Sequence, residues 1–247
     1  MSLRNRVAVV TGGTRGIGRG IALGLAREGA RIALVYRANK AAAQMALRQL
    51  QTVGADCVAV ETDITHPARA EQLIKTVADR YGRIDVLVNN VGEFRWGTLA
   101  ESSPEEWTGI FDSNVMTVFY MCRAALPLMR KGRWGRIINL GAVGAERAFG
   151  QAKISAYAAA KAAVVAMSRS LALEEAKNGI TVNVVNPSSI DEKDLTLEEA
   201  RKLKDARYPI GRPPTVDDVA AAVSFFASEE AEYVTGQVVN VSGGWML

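Results

Sequence analysis

Tyr157 and Lys161 are the residues whose types and spacing point most directly to acid–base chemistry. They lie four positions apart in SAYAAAKAAVVAMSRS, residues 155–170, a stretch rich in alanine and free of glycine and proline. This composition predicts a helix, on which residues four apart share a face. A tyrosine pKa is ordinarily about 10, and an adjacent ammonium group lowers it, which would let Tyr157 exchange a proton near neutral pH. The alternative is a surface helix with two solvated polar side chains.

A glycine-rich turn, TGGTRGIG at residues 11–18, is the second chemical pattern. It follows a β-branched run at residues 6–11 and precedes apolar residues at helical spacing, which predicts a strand–turn–helix unit. Backbone N–H groups and the helix dipole can approach a phosphate closely at such a turn. The spacing is G-x-x-x-G-x-G rather than the commoner G-x-G-x-x-G. A tight connection that needs flexible residues is the alternative.

Two arginines indicate which dinucleotide this turn would take. A second predicted strand, residues 31–36, ends beside Arg37, and Arg15 lies in the glycine turn. A carboxylate at this strand end would accept hydrogen bonds from a ribose 2′-OH, whereas a positive residue accommodates a 2′-phosphate. Two guanidinium groups and no carboxylate therefore predict NADP rather than NAD. Two solvated arginines are the alternative.

The elements that must position these residues alternate between strand and helix. Strand patterns occupy residues 6–11, 31–36, 57–65, 84–92, 135–140, 180–187 and 238–241, and helical patterns lie between them, including 39–53, 68–81 and 104–130. This alternation predicts an α/β protein with one Rossmann domain over residues 1–247, a doubly wound, seven-stranded parallel sheet with helices on both faces. Ligands of such sheets bind at the carboxyl ends of the strands, where Gly12, Arg37, Asp63 and Asn90 fall.

Composition and charge argue against several other classes of protein. Hydrophobic residues make up 49% of the 247 residues, which is typical of a globular chain. No apolar run approaches the ~20 residues that span a bilayer, and the N-terminal residues lack a signal-peptide pattern. Cys57, Cys122 and His66 form no metal-ligand or disulfide pattern, and a net charge of +4 does not indicate nucleic-acid binding. We therefore predict a cytoplasmic protein without a metal site.

Taken together, the motifs resemble the short-chain dehydrogenase/reductase family, and within it the 3-oxoacyl-(acyl carrier protein) reductases. The resemblance covers essentially the whole chain. It rests on TGGTRGIG at 11–18, TDIT at 62–65, NNVG at 89–92, Asn114, YAAAK at 157–161, NVVNP at 183–187, PIGR at 209–212 and VSGGW at 241–245.

The resemblance implies a role for each matching residue. Tyr157 would exchange a proton with the substrate oxygen, Lys161 would hold the nicotinamide ribose and lower the Tyr157 pKa, and Asn114 would hold a water in a proton relay. The hydride would come from NADP(H). The implied cofactor-binding residues are Gly12, Thr14, Arg15, Gly16, Ile17, Gly18, Arg37, Asp63, Ile64, Asn90, Gly92, Tyr157, Lys161 and Ile190.

The sequence departs from the family where the catalytic serine is expected. Ala142 occupies that position after the fifth strand, and Gly144, thirteen residues before Tyr157, has no hydroxyl either. The following loop is about two residues longer than is usual in the family, and Ser155, Gln151 and Lys153 are alternative hydrogen-bond donors. A second departure is Ser188, which stands where the family usually has a glycine beside the nicotinamide.

The implied function is NADPH-dependent reduction of a 3-oxoacyl thioester or related ketone in fatty acid biosynthesis, with residues 191–209 as a substrate-covering lid. A basic group, Arg130, Lys131, Arg133 and Arg136, is a candidate docking surface for an acyl carrier protein, with a solvated loop as the alternative. The resemblance also implies a homotetramer built from residues 104–130 and 154–177 and the last strand. A pterin-type reductase and a cofactor-binding pseudoenzyme remain as alternative functions.

Overall fold

The computed structural model describes residues 3–191 and 194–246, which contain one seven-stranded parallel sheet. The strands are β1 (Val7–Thr11), β2 (Arg31–Tyr36), β3 (Cys57–Glu61), β4 (Val86–Asn89), β5 (Gly135–Leu140), β6 (Ile180–Pro187) and β7 (Val238–Val241). Their spatial order is β3-β2-β1-β4-β5-β6-β7. The order reverses between β1 and β4, and a crevice at such a point is where doubly wound sheets bind dinucleotides.

Helices cover both faces of the sheet. They are α1 (Gly16–Arg27), α2 (Lys40–Thr52), α3 (Pro67–Tyr81), α4 (Pro104–Phe111), α5 (Thr117–Gly132), α6 (Ser155–Glu175), α7 (Leu197–Ala200) and α8 (Val216–Ala227). Successive strand residues point to opposite faces, so Ala8 and Val10 pack with α1 and α8, whereas Val7 and Val9 pack with α3 and α5. The predicted doubly wound Rossmann fold is confirmed.

The helix predicted over residues 104–130 is interrupted by a π-helical segment, Asp112–Met116. Asn114 lies in this segment, and its side-chain amide donates to the carbonyl oxygen of Ile110 at 3.0 Å. A side chain that competes for helix carbonyls favours such an interruption. The π segment turns Asn114 into the interior, where it is fully buried.

Several boundaries differ from the sequence-based expectations. The third and fourth strands end at Glu61 and Asn89, earlier than the predicted residues 65 and 92. At β4 the reason is local: Asn90 turns its side chain toward β1 and donates to the carbonyl oxygen of Thr11 at 3.0 Å. No helix among residues 3–191 and 194–246 is long and apolar enough to cross a membrane. The same residues contain no cluster of His, Cys, Asp or Glu that could hold a metal ion.

Candidate active site

Asn114 and Lys161 bring their polar atoms together beside Gly92, just after β4. A Cβ atom added to Gly92 would lie 2.2 Å from Asn114 Oδ1 and 3.4 Å from Lys161 Nζ. Asn114 Nδ2 donates to the carbonyl oxygen of Glu93 at 2.9 Å, which fixes the amide. Its Oδ1 is buried and accepts no hydrogen bond from the described residues. An unpartnered buried acceptor next to an amine is a suitable place for a water.

Tyr157 and Lys161 share one face of α6, as predicted. Lys161 Nζ lies 5.5 Å from the centre of the Tyr157 ring and donates to the carbonyl oxygen of Leu140, the last residue of β5, at 2.8 Å. The hydrogen bond anchors the amine of Lys161 to the carboxyl end of the sheet. The two side chains therefore lie where ligands of this fold bind.

The prediction that Lys161 lowers the Tyr157 pKa is wrong for the protein without a bound cofactor. Burial raises the pKa of Tyr157 to about 12 and lowers the pKa of Lys161 to about 8. Removal from water penalises the charged form of each group, and here this cost exceeds their mutual attraction. Tyr157 is consequently protonated at neutral pH, which suits a proton donor.

Two aromatic residues that the sequence analysis did not single out cover Tyr157. The rings of Phe94 and Tyr157 meet edge to face with their centres 5.0 Å apart, and Trp96 packs in the same way against Phe94 at 5.3 Å. Phe94 is 50% exposed and Trp96 is 58% exposed. The signal available in the sequence was the alternation of aromatic residues directly after NNVG. Together they form an aromatic wall beside the catalytic candidate.

The glycine turn has the close packing that the sequence predicted. Gly12 and Gly16 have positive φ angles of 62° and 52°, a conformation that favours glycine. A Cβ atom on Gly18 would lie 2.3 Å from the carbonyl oxygen of Gly12 and 2.7 Å from Asn90 Nδ2. Asn90 thus supports the turn from β4, with its amide hydrogen-bonded to β1.

The N-terminus of α1 offers the features that a phosphate needs. Arg15 precedes the helix without capping it by a side-chain hydrogen bond, and the first turn contains no acidic residue. Free N–H groups and the positive end of the dipole therefore meet at this turn. Thr14 is buried beside the turn, Ile17 is half-buried and Arg15 is exposed. The predicted phosphate-binding residues lie together and fit a dinucleotide.

Arg37, directly after β2, has a carboxylate neighbour that was not anticipated. Arg37 Nη1 lies 3.4 Å from Glu93 Oε1, and both side chains are more than half exposed. The Tyr36 hydroxyl donates to Glu61 at 3.2 Å. Arg37 is therefore at the predicted position, but part of its charge is offset by Glu93.

Asp63 and Ile64 follow β3 at the same edge of the sheet. Asp63 Oδ1 accepts hydrogen bonds from the Thr65 hydroxyl at 2.7 Å and the Thr65 N–H at 3.1 Å. Burial alone would raise the Asp63 pKa, but these hydrogen bonds outweigh it and hold the pKa below its ordinary value. Ile64 is 5% exposed and packs in the core with α3.

No hydroxyl lies at the position where the serine was expected. Ala142 follows β5 by two residues, close in sequence to the Leu140 carbonyl that accepts from Lys161. Ser155, the first residue of α6, lines a small cavity together with Lys153 and Tyr157, while Gln151 is exposed. Ser155 and Lys153 are thus the alternative donors that share a cavity with Tyr157.

The segment after β6 contains two further predicted residues. Ser188 is 6% exposed, and its hydroxyl has no hydrogen-bond partner among the described side chains and backbone groups. Ile190 is 7% exposed and joins the core on the α1 face. The predicted lid begins here, and its residues 192 and 193 lie outside the described residues. Asp194 forms an ion pair with Arg19 of α1, which joins the lid to the helix after the glycine turn.

The basic group at residues 130–136 is divided between one buried arginine and three side chains that reach the surface. Arg136 is 2% exposed and its guanidinium stacks over Trp134 at 4.2 Å, while Arg130 pairs with the buried Glu175. The group lies at the amino end of β5, the edge of the sheet opposite the candidate site. Burial therefore removes Arg136 from the surface, whereas Arg130 stays 52% exposed beside Glu175.

These features are typical of a class of proteins, the Rossmann-type oxidoreductases, which bind a dinucleotide at the carboxyl ends of the strands where the strand order reverses. Comparison with known proteins identifies the family within this class. A family model described as Enoyl-(Acyl carrier protein) reductase matches residues 12–246. The chain is 39% identical to a 3-oxoacyl-[acyl-carrier-protein] reductase of Staphylococcus aureus, over 97% of this chain and 98% of that protein. It is 39% identical to the corresponding Escherichia coli enzyme, over the whole of both chains.

Comparison with solved structures supports the same family. A protein from Bacillus thuringiensis described as a 3-oxoacyl-reductase superposes with a TM-score of 0.89 at 32% identity, covering 96% of this chain and 97% of that one. A short-chain alcohol dehydrogenase structure from Sinorhizobium meliloti gives a TM-score of 0.90 at 26% identity, covering 99% and 98%. The chain belongs to the short-chain dehydrogenase/reductase family, whose members are nicotinamide-dependent oxidoreductases.

Proposed function

We propose that this chain is an NADPH-dependent reductase that converts the keto group of a 3-oxoacyl thioester into a hydroxyl in fatty acid biosynthesis. The supporting geometry is the meeting of Asn114 Oδ1 and Lys161 Nζ beside Gly92, one helical turn from Tyr157. The substrate class comes from relatives that share 38–39% of their residues with this chain over almost its full length.

The chain's own residues would hold the cofactor and move one proton. The free N–H groups at the start of α1 would bind the pyrophosphate, and Arg37 with Arg15 would face the 2′-phosphate. When bound, NADPH supplies the hydride that reduces the carbonyl carbon. Tyr157, protonated at neutral pH because burial raises its pKa to about 12, donates its hydroxyl proton to the carbonyl oxygen.

Lys161 and Asn114 would restore that proton. The Lys161 ammonium stabilises the phenolate that Tyr157 leaves behind. A water that donates a hydrogen bond to Asn114 Oδ1 would pass a proton toward Lys161, which makes Asn114 a relay residue. The missing serine hydroxyl removes one donor to the carbonyl, a change that can cost about 10²–10³ in rate. We therefore expect modest turnover, with Ser155 or Lys153 as the substitute donor.

The aromatic wall favours a second candidate substrate, a pterin-like planar ring. The exposed faces of Phe94 and Trp96 lie beside Tyr157, and flat aromatic rings stack well on such faces. Replacing Phe94 with Leu keeps apolar volume but removes the ring. This variant should raise the KM for a dihydropteridine and leave the KM for an acyl thioester nearly unchanged.

We also propose a homotetramer assembled through α5, α6 and β7. Phe119 of α5 is 42% exposed and Leu173 of α6 is 83% exposed, and large apolar side chains at the surface favour association. An acyl carrier protein remains the proposed partner, and of the basic group at residues 130–136 only the buried Arg136 would be withheld from it. Sedimentation equilibrium would test the oligomeric state directly.

The decisive experiment follows NADPH absorbance with acetoacetyl thioester, a dihydropteridine and small ketones in separate assays. Turnover by the wild type that is lost in Tyr157→Phe supports the proposed reductase, and the best substrate identifies the class. Full activity in Tyr157→Phe would overturn the proton-transfer role. NADPH binding without turnover of any substrate would favour the pseudoenzyme.

A further inference from the structure

Three hydrogen-bonded side chains join the ends of three strands near the candidate site. Glu146 lies in the helical turn Ala145–Arg147 after β5, and Asn186 of β6 is the register partner of Asn240 in β7. Asn186 Nδ2 donates to Glu146 Oε2 at 3.0 Å and to Asn240 Oδ1 at 2.9 Å. Asn240 Nδ2 donates to Glu146 Oε1 at 3.0 Å. We call this closed set of hydrogen bonds the Glu146 ring.

The Glu146 ring is largely removed from solvent. Asn186 is fully buried, and the Glu146 side chain is only 18% exposed. A carboxylate in such a place is costly unless its oxygens accept hydrogen bonds, and both oxygens of Glu146 do so. Arg147 Nε, at 3.5 Å from Glu146 Oε1, adds a positive charge from the solvent side. Both oxygens of Glu146 and both amide nitrogens of the ring are thus paired, whereas Asn186 Oδ1 is buried without a hydrogen-bond partner among the described residues.

The Glu146 ring also contacts the backbone that leads to Ala142. A Cβ atom on Gly141 would lie 1.9 Å from Asn186 Oδ1, so the Asn186 amide packs directly against Gly141. Gly141 N–H donates to the carbonyl oxygen of Val185 at 2.9 Å. Gly141, directly before Ala142, and Glu146, four residues after it, are therefore both tied to the end of β6, just before residues 187–190.

We propose that Glu146 is a positioning residue, which fixes the segment around Ala142 relative to the segment after β6. This inference rests on the proposed function, in which the first segment faces the substrate carbonyl and the second faces the nicotinamide. A displacement of about 1 Å between reacting groups can cost about 10²-fold in rate. In a loop without the family serine, the Glu146 carboxylate adds side-chain hydrogen bonds across the two segments to the backbone bond between Gly141 and Val185.

Three variants test the ring because they reverse its polarity without changing its size. Glu146→Gln places its one amide NH₂ against the NH₂ group of either Asn186 or Asn240, whichever way the amide is turned, and Asn240→Asp places a second carboxylate against Glu146. The double variant Glu146→Gln/Asn240→Asp restores complementary pairing, because the new amide can donate to the new carboxylate while Asn186 still donates to both. A buried polar group left without a matching partner changes a binding or rate constant by about tenfold.

The measurements are the Kd for NADPH without substrate, from nicotinamide fluorescence, and kcat and KM for acetoacetyl thioester. Each single variant should weaken NADPH binding and lower kcat by about tenfold, and the double variant should recover most of both. Glu175→Gln is the matched control. It alters another carboxylate held by hydrogen bonds, more deeply buried than Glu146 and bound to Arg130 and Asn178 at the far end of α6, and should reduce thermal stability without changing NADPH binding.

The outcomes separate this proposal from the proposed function. Single variants that only lose thermal stability, as Glu175→Gln does, or a double variant that recovers nothing, would overturn the positioning role. If the wild type binds NADPH but reduces no substrate, the proposed function fails while the binding data still decide the role of the ring. A wild type that binds neither NADPH nor NADH would overturn both.

Discussion

The ammonium nitrogen of Lys161 donates a hydrogen bond of 2.8 Å to the carbonyl oxygen of Leu140 at the end of β5. This bond and the surrounding core remove Lys161 from water, so that it is 5% exposed. The same side chain lies 5.5 Å from the Tyr157 ring centre. One interaction therefore sets both the position of the amine and the environment that controls its charge.

Burial of Lys161 should leave a signature in the pH dependence of stability. Its pKa falls from 10.5 to about 8 on folding, so between these pH values the unfolded chain binds more protons than the folded one. Stability then rises with pH across this window, by an amount on the order of 3 kcal/mol. Urea unfolding at pH 7.5 and 9.5 should show a rise in the wild type that Lys161→Met lacks. Parallel behaviour of the two proteins would contradict the buried ammonium.

Gly92 should tolerate no side chain. In Gly92→Ala the new methyl group would lie 2.2 Å from Asn114 Oδ1 and 3.4 Å from Lys161 Nζ, so both must move. We expect kcat to fall about 10²-fold in a folded protein. Gly97→Ala in the same loop is the control, since its nearest neighbour would be Ser102 Oγ at 3.8 Å. Equal activity of the two variants would exclude a tight arrangement around Gly92.

Glu93 should weaken the preference for NADPH by pairing with Arg37. Its carboxylate lies 3.4 Å from the guanidinium that is proposed to meet the 2′-phosphate. Exposed pairs contribute little, so Glu93→Gln should lower the Kd for NADPH by about two- to fivefold and leave the Kd for NADH unchanged. Arg37→Ala should have the opposite effect on NADPH alone. Equal changes for both cofactors would show that Arg37 does not face the 2′-phosphate.

A hydroxyl restored at position 142 should raise turnover. Ala142→Ser places a donor two residues after Leu140, whose carbonyl oxygen accepts from Lys161, and we expect kcat to increase about 10–100-fold if the carbonyl lacks a donor. Val143→Ser is the control for adding a hydroxyl at the neighbouring position. Activity that appears only in Ala142→Ser would identify the wild type as an impaired enzyme. No gain would indicate that another group, such as Ser155, already donates.

Several features were predictable because they depend on neighbouring residues along the chain. The alanine-rich run around Tyr157 forms α6, and it extends to Glu175 beyond the predicted residue 170. The glycine turn packs as expected. A Cβ atom at position 18 would lie 2.3 Å from the carbonyl oxygen of Gly12, so only glycine fits there. The alternation of strands and helices indicated the sheet and the edge at which ligands bind.

Other features depend on contacts between distant residues. The pairing of Glu93 with Arg37 spans 56 positions, and the bond between Glu146 and Asn240 spans 94. The basic stretch around Arg136 indicates a charged side chain at the surface, but Arg136 is buried with its guanidinium over Trp134. No local pattern reports such contacts, because they arise only when the sheet brings strand ends together.

By itself, the sequence determined the order of elements and the residue types available at the carboxyl edge of the sheet. Hydrophobic periodicity and glycine geometry act over a few residues, so they can be read directly from the chain. Only the tertiary structure decided the state of those residues: that Tyr157 stays protonated under Phe94, that Asn114 Oδ1 is left without a partner, and that Glu146 joins three strands. These properties follow from desolvation and long-range packing, which exist only once the whole fold has formed.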